Sequence, residues 1–162
     1  MNYKDYSDWF GNSGFRAIFS YNEEDYALLD NRKDFASSVK FDPNALAIPK
    51  QVHSKNVCYV KSPGYLEETD GLISNHKDIV LTIQVADCVP IFLLDIQNEN
   101  WGLIHSGWQG TAKNIIKEGV RQLQKIGTYP RNLKALIGPS INQCCFEVGP
   151  EVSAQFDKGF SI

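Results

Sequence analysis

Between Asp70 and Asp95 the chain passes through three apolar segments, "DGLISN" (70–75), "DIVLTIQVA" (78–86) and "PIFLLD" (90–95). Strands of continuous Ile, Val and Leu need cover on both faces. A sheet with one face open to water is therefore excluded, and flanking layers are required. The clearest layer is helical. In "TAKNIIKEGVRQLQKIG", Ile115, Ile116, Val120, Leu123 and Ile126 recur at helical spacing, and Gly127 and Pro130 end the pattern. "GFRAIFSY" (14–21) reads as a first strand, and "DNRKDFASSV" as a short helix capped by Asp30. "ALAIPKQVH" and "NVCYVKS" read as two strands divided by a turn at His53 and Ser54. "NENWG" turns the chain into a strand ending in "LIHS"; "LKALIGPS" is a further buried strand, and "GPEVSAQF" a second helix with Pro150 in its first turn. The expected fold is α/β (α+β), a mixed β-sheet flanked by helices.

Without a repeat, a low-complexity tract or a linker, residues 1–162 are expected to form a single domain. The chain closes on "FDKGFSI", which leaves the apolar face of the last helix (Val152, Phe156, Phe160) without a following element to cover it. Net charge is −3 and basic residues never cluster beyond two neighbours, which argues against nucleic-acid or membrane-surface partners. No apolar run reaches the roughly 20 residues of a membrane span. "MNYKDYSDWF" lacks the apolar stretch of a signal peptide, so a cytoplasmic protein is expected. In that compartment the four cysteines are read as thiols or metal ligands rather than disulfides.

The residues that carry chemistry interrupt the apolar runs. Asp87, Cys88 and Pro90 break "VADCVPIFLLD"; His105 ends a strand in "GLIHSGW"; His53 ends another in "KQVHSKN". Two imidazoles and a thiolate form a donor set known from catalytic zinc sites, with a fourth position left for water. Asp87, beside Cys88, is placed to orient a ligand or meet substrate. The small residues of "SGWQG", leading to a helix start at Thr111, offer backbone N–H groups to an anion. The competing structural readings are a small core thiol for Cys88, a satisfied core imidazole for His105, a solvated turn residue for His76 and a packing role for Trp108.

"KQVHS", "TDGLIS", "ADCVPIFLLD", "GLIHSGWQGT" and "IGPSINQCCFEVGPEV" occur in this order. From about Asp30 onward the chain closely resembles the YfiH family, the laccase-domain proteins often labelled multicopper polyphenol oxidases. The resemblance implies a fold like that of the cytotoxic-necrotizing-factor cysteine hydrolases, and a zinc site formed by His53, Cys88 and His105. Two departures stand out. The family usually has Arg where this chain has Gln109, and its domain continues beyond the "EVG" motif, so the chain is expected to lack the family's C-terminal segment. An exposed apolar edge would then favour self-association.

The resemblance also implies phosphorolysis of adenosine, inosine, guanosine and methylthioadenosine, and deamination of adenosine. Small-molecule nucleoside and phosphate are thus the expected partners, and zinc the expected cofactor, with copper second. Asp87, Cys88 and His105 are the expected catalytic residues, with Asp87 or Asp70 as the acid/base carboxylate. Gln51, Lys55, Asp70 and Gln109 are expected to contact substrate. Three alternatives use the same residues. Copper polyphenol oxidase chemistry fits poorly, because a trinuclear cluster needs more than three histidines and the only Met is Met1. A Cys-His hydrolase editing peptidoglycan precursors would use Cys88 as nucleophile and His105 as base. A structural zinc would be closed by Cys58, Cys144 or Cys145.

Overall fold

The computed structural model describes residues 2–11, 14–21 and 24–156. The chain opens with an antiparallel ribbon of β1 (Tyr3–Asp5) and β2 (Ile18–Ser20), followed by helix α1 (Leu29–Ser38). Strands β3 (Leu46–Pro49), β4 (Val57–Tyr59), β5 (Gly64–Leu66), β6 (Gly71–Ser74) and β7 (Val80–Leu81) come next. Strands β8 (Val89–Asp95) and β9 (Asn100–Ser106) form a hairpin. Helices α2 (Trp108–Ala112) and α3 (Ile115–Lys125), strand β10 (Leu133–Ile137) and the short helix α4 (Pro150–Ser153) complete the order. The main sheet runs β10-β8-β9-β6-β4, antiparallel except where β4 lies parallel to β6. A smaller parallel sheet runs β5-β3-β7. The fold is α+β with mixed sheets flanked by helices, as the apolar pattern requires. No described helix is long and apolar enough to cross a membrane.

Both faces of the main sheet are covered. Ile115 and Leu123 of α3 pack on Ile73, Ile91, Leu93 and Ile104. On the opposite face, Phe10 and Ala17 from the N-terminal segment meet Leu94. Strand β3 shows why the two sheets stack: its side chains alternate, so that Ala47 joins Leu72 of the main sheet while Leu46 and Ile48 turn to Ala36 of α1. At the start of β6 the sheet has no room for a side chain. A Cβ on Gly71 would sit 2.7 Å from Ile104 Cδ1 and 2.8 Å from Val57 Cγ2. Gly71→Ala is expected to cost about 1–3 kcal/mol by overpacking. A denaturant titration checks this, and an unchanged midpoint would show that the neighbours yield freely.

Several expected elements differ. The run 78–86 is a strand only at β7; the Thr82 N–H makes the last backbone bond to β3, at the Ala47 carbonyl, and the chain beyond it is irregular as far as Cys88. The expected helix from Thr111 is two helices: α2 starts earlier, at Trp108, and Asn114 takes a left-handed φ of 60° before α3 begins. Gly119 joins the buried face of α3, close to Ile104, a position that hydrophobic counting misses. Strand β10 is an edge strand, with Ile137 67% exposed, rather than a buried one. Asp30 lies in the first turn of α1 and does not cap it; no side chain bonds there. The strand within 14–21 covers only Ile18–Ser20 and follows β1, which periodicity does not reveal. Helix α4 has Pro150 at its start as expected, while Phe160 lies outside the described residues.

Candidate metal centre

Strand register assembles the site. Across the β8–β9 hairpin Pro90 faces His105 and Val89 faces Ser106, which leaves Cys88 just past the ladder, beside Gly107. The Pro90 carbonyl accepts from the Gly138 N–H at 2.9 Å. The N–H that proline lacks would point to that same side, toward Gly138, so the break falls at the end of the β8–β10 pairing and leaves the β9 side intact. On the other side of β9, Gly71 faces Ile104, and the His105 N–H bonds the Asp70 carbonyl at 2.7 Å. Asp70, His105 and Cys88 thus stand at the same end of three adjacent strands.

Asp70 is fully buried and brings His53 to the group. Its carboxylate accepts N–H donors from three successive residues: Val52 at 3.3 Å, His53 at 3.0 Å and Ser54 at 2.7 Å. The Ser54 hydroxyl adds a bond to Oδ2 at 2.8 Å, and His105 Nδ1 lies 2.8 Å from Oδ1, the oxygen that also accepts the His53 N–H. This grip holds His53 in a left-handed turn, φ 57°, which few non-glycine residues adopt. Burial pulls the Asp70 carboxyl up, but the bonds from His105, Ser54 and Val52 outweigh it and keep it below the ordinary carboxylate value. With Nδ1 of His105 engaged, its Nε2 is left to face the cluster.

The ligand atoms of His53, Cys88 and His105 all lie within 4.8 Å of one another. The imidazoles meet edge to face with centroids 4.9 Å apart. Gly107 closes one wall: a Cβ there would sit 2.8 Å from His53 Cδ2 and 3.0 Å from Cys88 Sγ. His105 is buried, Cys88 half-buried and His53 exposed, so the group opens toward solvent on the His53 side. Tetrahedral zinc, with ligand bonds of about 2.0–2.3 Å, fits this spacing and this mixture of nitrogen and sulfur donors. Among the described residues no fourth His, Cys, Asp or Glu joins the group. Cys58 packs in the core between the two sheets, and neither Cys144 nor Cys145 is part of the group. Burial, and then the carboxylates of Asp87 and Asp70, push the Cys88 thiol up.

The other expected site residues fall in different places. Asp87 is exposed beside Cys88, its carbonyl accepting from the Ile141 N–H at 3.0 Å. Lys55 is exposed and Gln109 half-buried in the first turn of α2. Asp70, expected to contact substrate, lies beneath the cluster with its oxygens occupied by the protein. Gln51 is likewise turned inward: its amide donates to the Gln84 carbonyl and accepts from the Gln84 N–H, both at 2.7 Å. Burial and bonding place Asp70 as a support beneath the cluster, and the half-buried Gln51 ties its segment to Gln84. His76 is not merely solvated; its Nε2 lies 3.2 Å from the Tyr59 hydroxyl. A cavity of about 410 Å³, walled by Phe10, Phe15, Phe41 and Trp101, lies elsewhere and shares no residue with the cluster.

The sequence profile of the family described as "Multi-copper polyphenol oxidoreductase laccase" matches residues 12–161. The chain belongs to this family. Within it, "Adenosine deaminase RL5", from an unknown prokaryotic organism, is 36% identical over 141 residues, covering 81% of the chain and 54% of that protein. The Deinococcus radiodurans "Purine nucleoside phosphorylase" is 34% identical over 129 residues, covering 80% and 51%. The crystal structure of Bacillus licheniformis YfiH superposes with a TM-score of 0.73 at 30% identity, covering 78% and 52%. The resemblance to YfiH proteins and their fold is therefore borne out. The chain spans about half the length of these relatives.

Proposed function

We propose that this family member is a zinc-dependent purine nucleoside phosphorylase and adenosine deaminase. The observation that carries the reading is the convergence of His53, Cys88 and His105 at one sheet end, with one side open. The names of the relatives supply the substrate class. A bound zinc would supply a Lewis acid and bring a water's pKa to about 7. The remaining work belongs to the chain. His105 is held in one tautomer by Asp70. Asp87, the acidic group with a free face, exchanges a proton at N1 of adenine during deamination. Lys55 and the backbone around Gln109 offer positive potential to the phosphate that attacks the ribose.

A second reading has a specific observation in its favour. Cys88, His105 and Asp70 have the order of a nucleophile, a base and an orienting acid, the arrangement a Cys-His hydrolase needs. Two features weigh against it. The Cys88 thiol is pushed up, whereas nucleophilic thiols are pulled down, and a triad has no use for His53 in the cluster. Polyphenol oxidation by a multinuclear copper site is disfavoured by the count of three histidines, of which His76 sits apart beside Tyr59.

Cys88→Ser tests the proposal. The parent chain is expected to hold about one zinc by elemental analysis, and the variant almost none. The far-ultraviolet spectrum should be unchanged. Adenosine deamination and phosphate-dependent inosine cleavage should be lost together. A metal-loaded, active variant would overturn the assignment. Iodoacetamide separates the hydrolase: a zinc thiolate is protected until a chelator is added, while a free catalytic thiolate reacts at once.

A further inference from the structure

The loop after β10 carries two adjacent thiols that the proposed chemistry does not use. Cys144 and Cys145 are both exposed, and their Sγ atoms lie 3.0 Å apart. Their turn is closed by the Cys145 and Phe146 N–H groups, both bonded to the Asn142 carbonyl at 3.0 and 3.1 Å. The Ile141 N–H ties the same loop back to Asp87. Neighbouring side chains on an extended segment diverge; here the backbone turn brings both sulfurs to one point. Much of the ordering that a two-point ligand requires is already in place.

We propose that Cys144 and Cys145 form a bidentate site for a soft, three-coordinate thiophilic centre, of which trivalent arsenicals are the type. The geometry selects among the partners of a dithiol. A direct disulfide between adjacent residues closes a small ring around a peptide bond that resists leaving the trans plane, whereas one inserted atom widens that ring. Tetrahedral zinc, with Zn–S of about 2.3 Å, holds its sulfurs roughly 3.8 Å apart and requires further donors. No third His, Cys, Asp or Glu joins this pair among the described residues. A pyramidal arsenic centre encloses a narrower angle and, when it carries one organic group, needs only two thiolates. The hydrogen bond with Cys144 pushes the Cys145 thiol up. With an organoarsenic oxide the arsenic–oxygen bond breaks and two arsenic–sulfur bonds form. Both thiol protons leave with the oxygen as one water, and no atom changes oxidation state.

The probe is phenylarsine oxide, added to the zinc-equilibrated 162-residue chain and read by intact mass. The expected result is one phenylarsenic adduct per chain, stable to excess monothiol and released by a small dithiol. Either Cys144→Ser or Cys145→Ser should weaken retention by on the order of 100-fold, as loss of one arm of a two-point attachment predicts. Cys58→Ser should leave the adduct unchanged. Both serine variants lie on an exposed turn, where such changes shift stability by about 0.5 kcal/mol or less. An adduct that persists in both serine variants, that disappears with Cys58→Ser, or that never forms would overturn the proposal.

Discussion

Asp70→Asn is expected to weaken zinc binding by about 10- to 100-fold while preserving most of the fold; Asp70→Ala is expected to destabilise the apo chain by on the order of 3–5 kcal/mol. The reasoning starts from the donors. Val52, His53 and Ser54 each send an N–H to this carboxylate, the Ser54 hydroxyl adds a fourth bond, and His105 Nδ1 a fifth. Alanine leaves all of them facing a hole in the protein, and each stranded buried donor costs about 1–3 kcal/mol before relaxation. Asparagine keeps the shape and one acceptor oxygen, but puts an NH₂ where another donor must point. The turn at His53 and the ring of His105 then lose their common anchor. Competition with a chromophoric chelator measures the affinity, and urea titration of the apo protein measures the stability. Unchanged zinc affinity in Asp70→Asn would show that neither ligand depends on the anchor.

Gly107→Ala, in contrast to Asp70→Ala, should fold normally and fail at the site. Gly107 has φ −71° and ψ 169°, a conformation open to any residue, so the backbone is not strained by the change. The new methyl instead meets His53 and Cys88 at 2.8 and 3.0 Å. One ligand must move, and displacement of a reacting group by about 1 Å costs roughly 100-fold in turnover. The expected pattern is a melting temperature near the parent's when both are measured without metal, with zinc affinity and deamination each reduced 10-fold or more. Parent-like zinc content and activity would mean that the cluster is free to widen. The pair of variants separates the two supports of the site, one carboxylate beneath it and one missing side chain beside it.

What the linear sequence carried and what it withheld follow from local against long-range information. The helix over Ile115–Lys125 and the strands ending at His105 and beginning near Pro90 are written in periodicity and in punctuation by Gly and Pro. The three residues His53, Cys88 and His105 were singled out because polar, metal-binding types stood at strand ends. Pairing is another matter. Nothing in "ALAIPKQVH" and "NVCYVKS" says that β3 and β4 enter different sheets, and nothing in "LKALIGPS" says that β10 is an edge. Asp70 is expected from the sequence to meet substrate, and nothing in "TDG" announces a buried acid. Its burial becomes visible only when "QVHS" folds over it with three N–H groups in a row. The pairing of Gln51 with Gln84 is hidden for the same reason, since the two are far apart in sequence.

The cluster borrows from four separated stretches: the turn at His53, the approach to β6, the break before β8 and the end of β9. No short peptide cut from this chain could hold the three donors together, so the centre cannot be moved to another protein as a compact motif. It also means that the donors converge only after β6 has paired with β9 across the intervening strands, the slow part of building such a sheet. An ion held there would bind the finished topology and ignore its parts. Well above its dissociation constant it would raise the melting temperature in proportion to the logarithm of its free concentration, and the amplitude of the shifted transition would report the fraction of molecules threaded correctly.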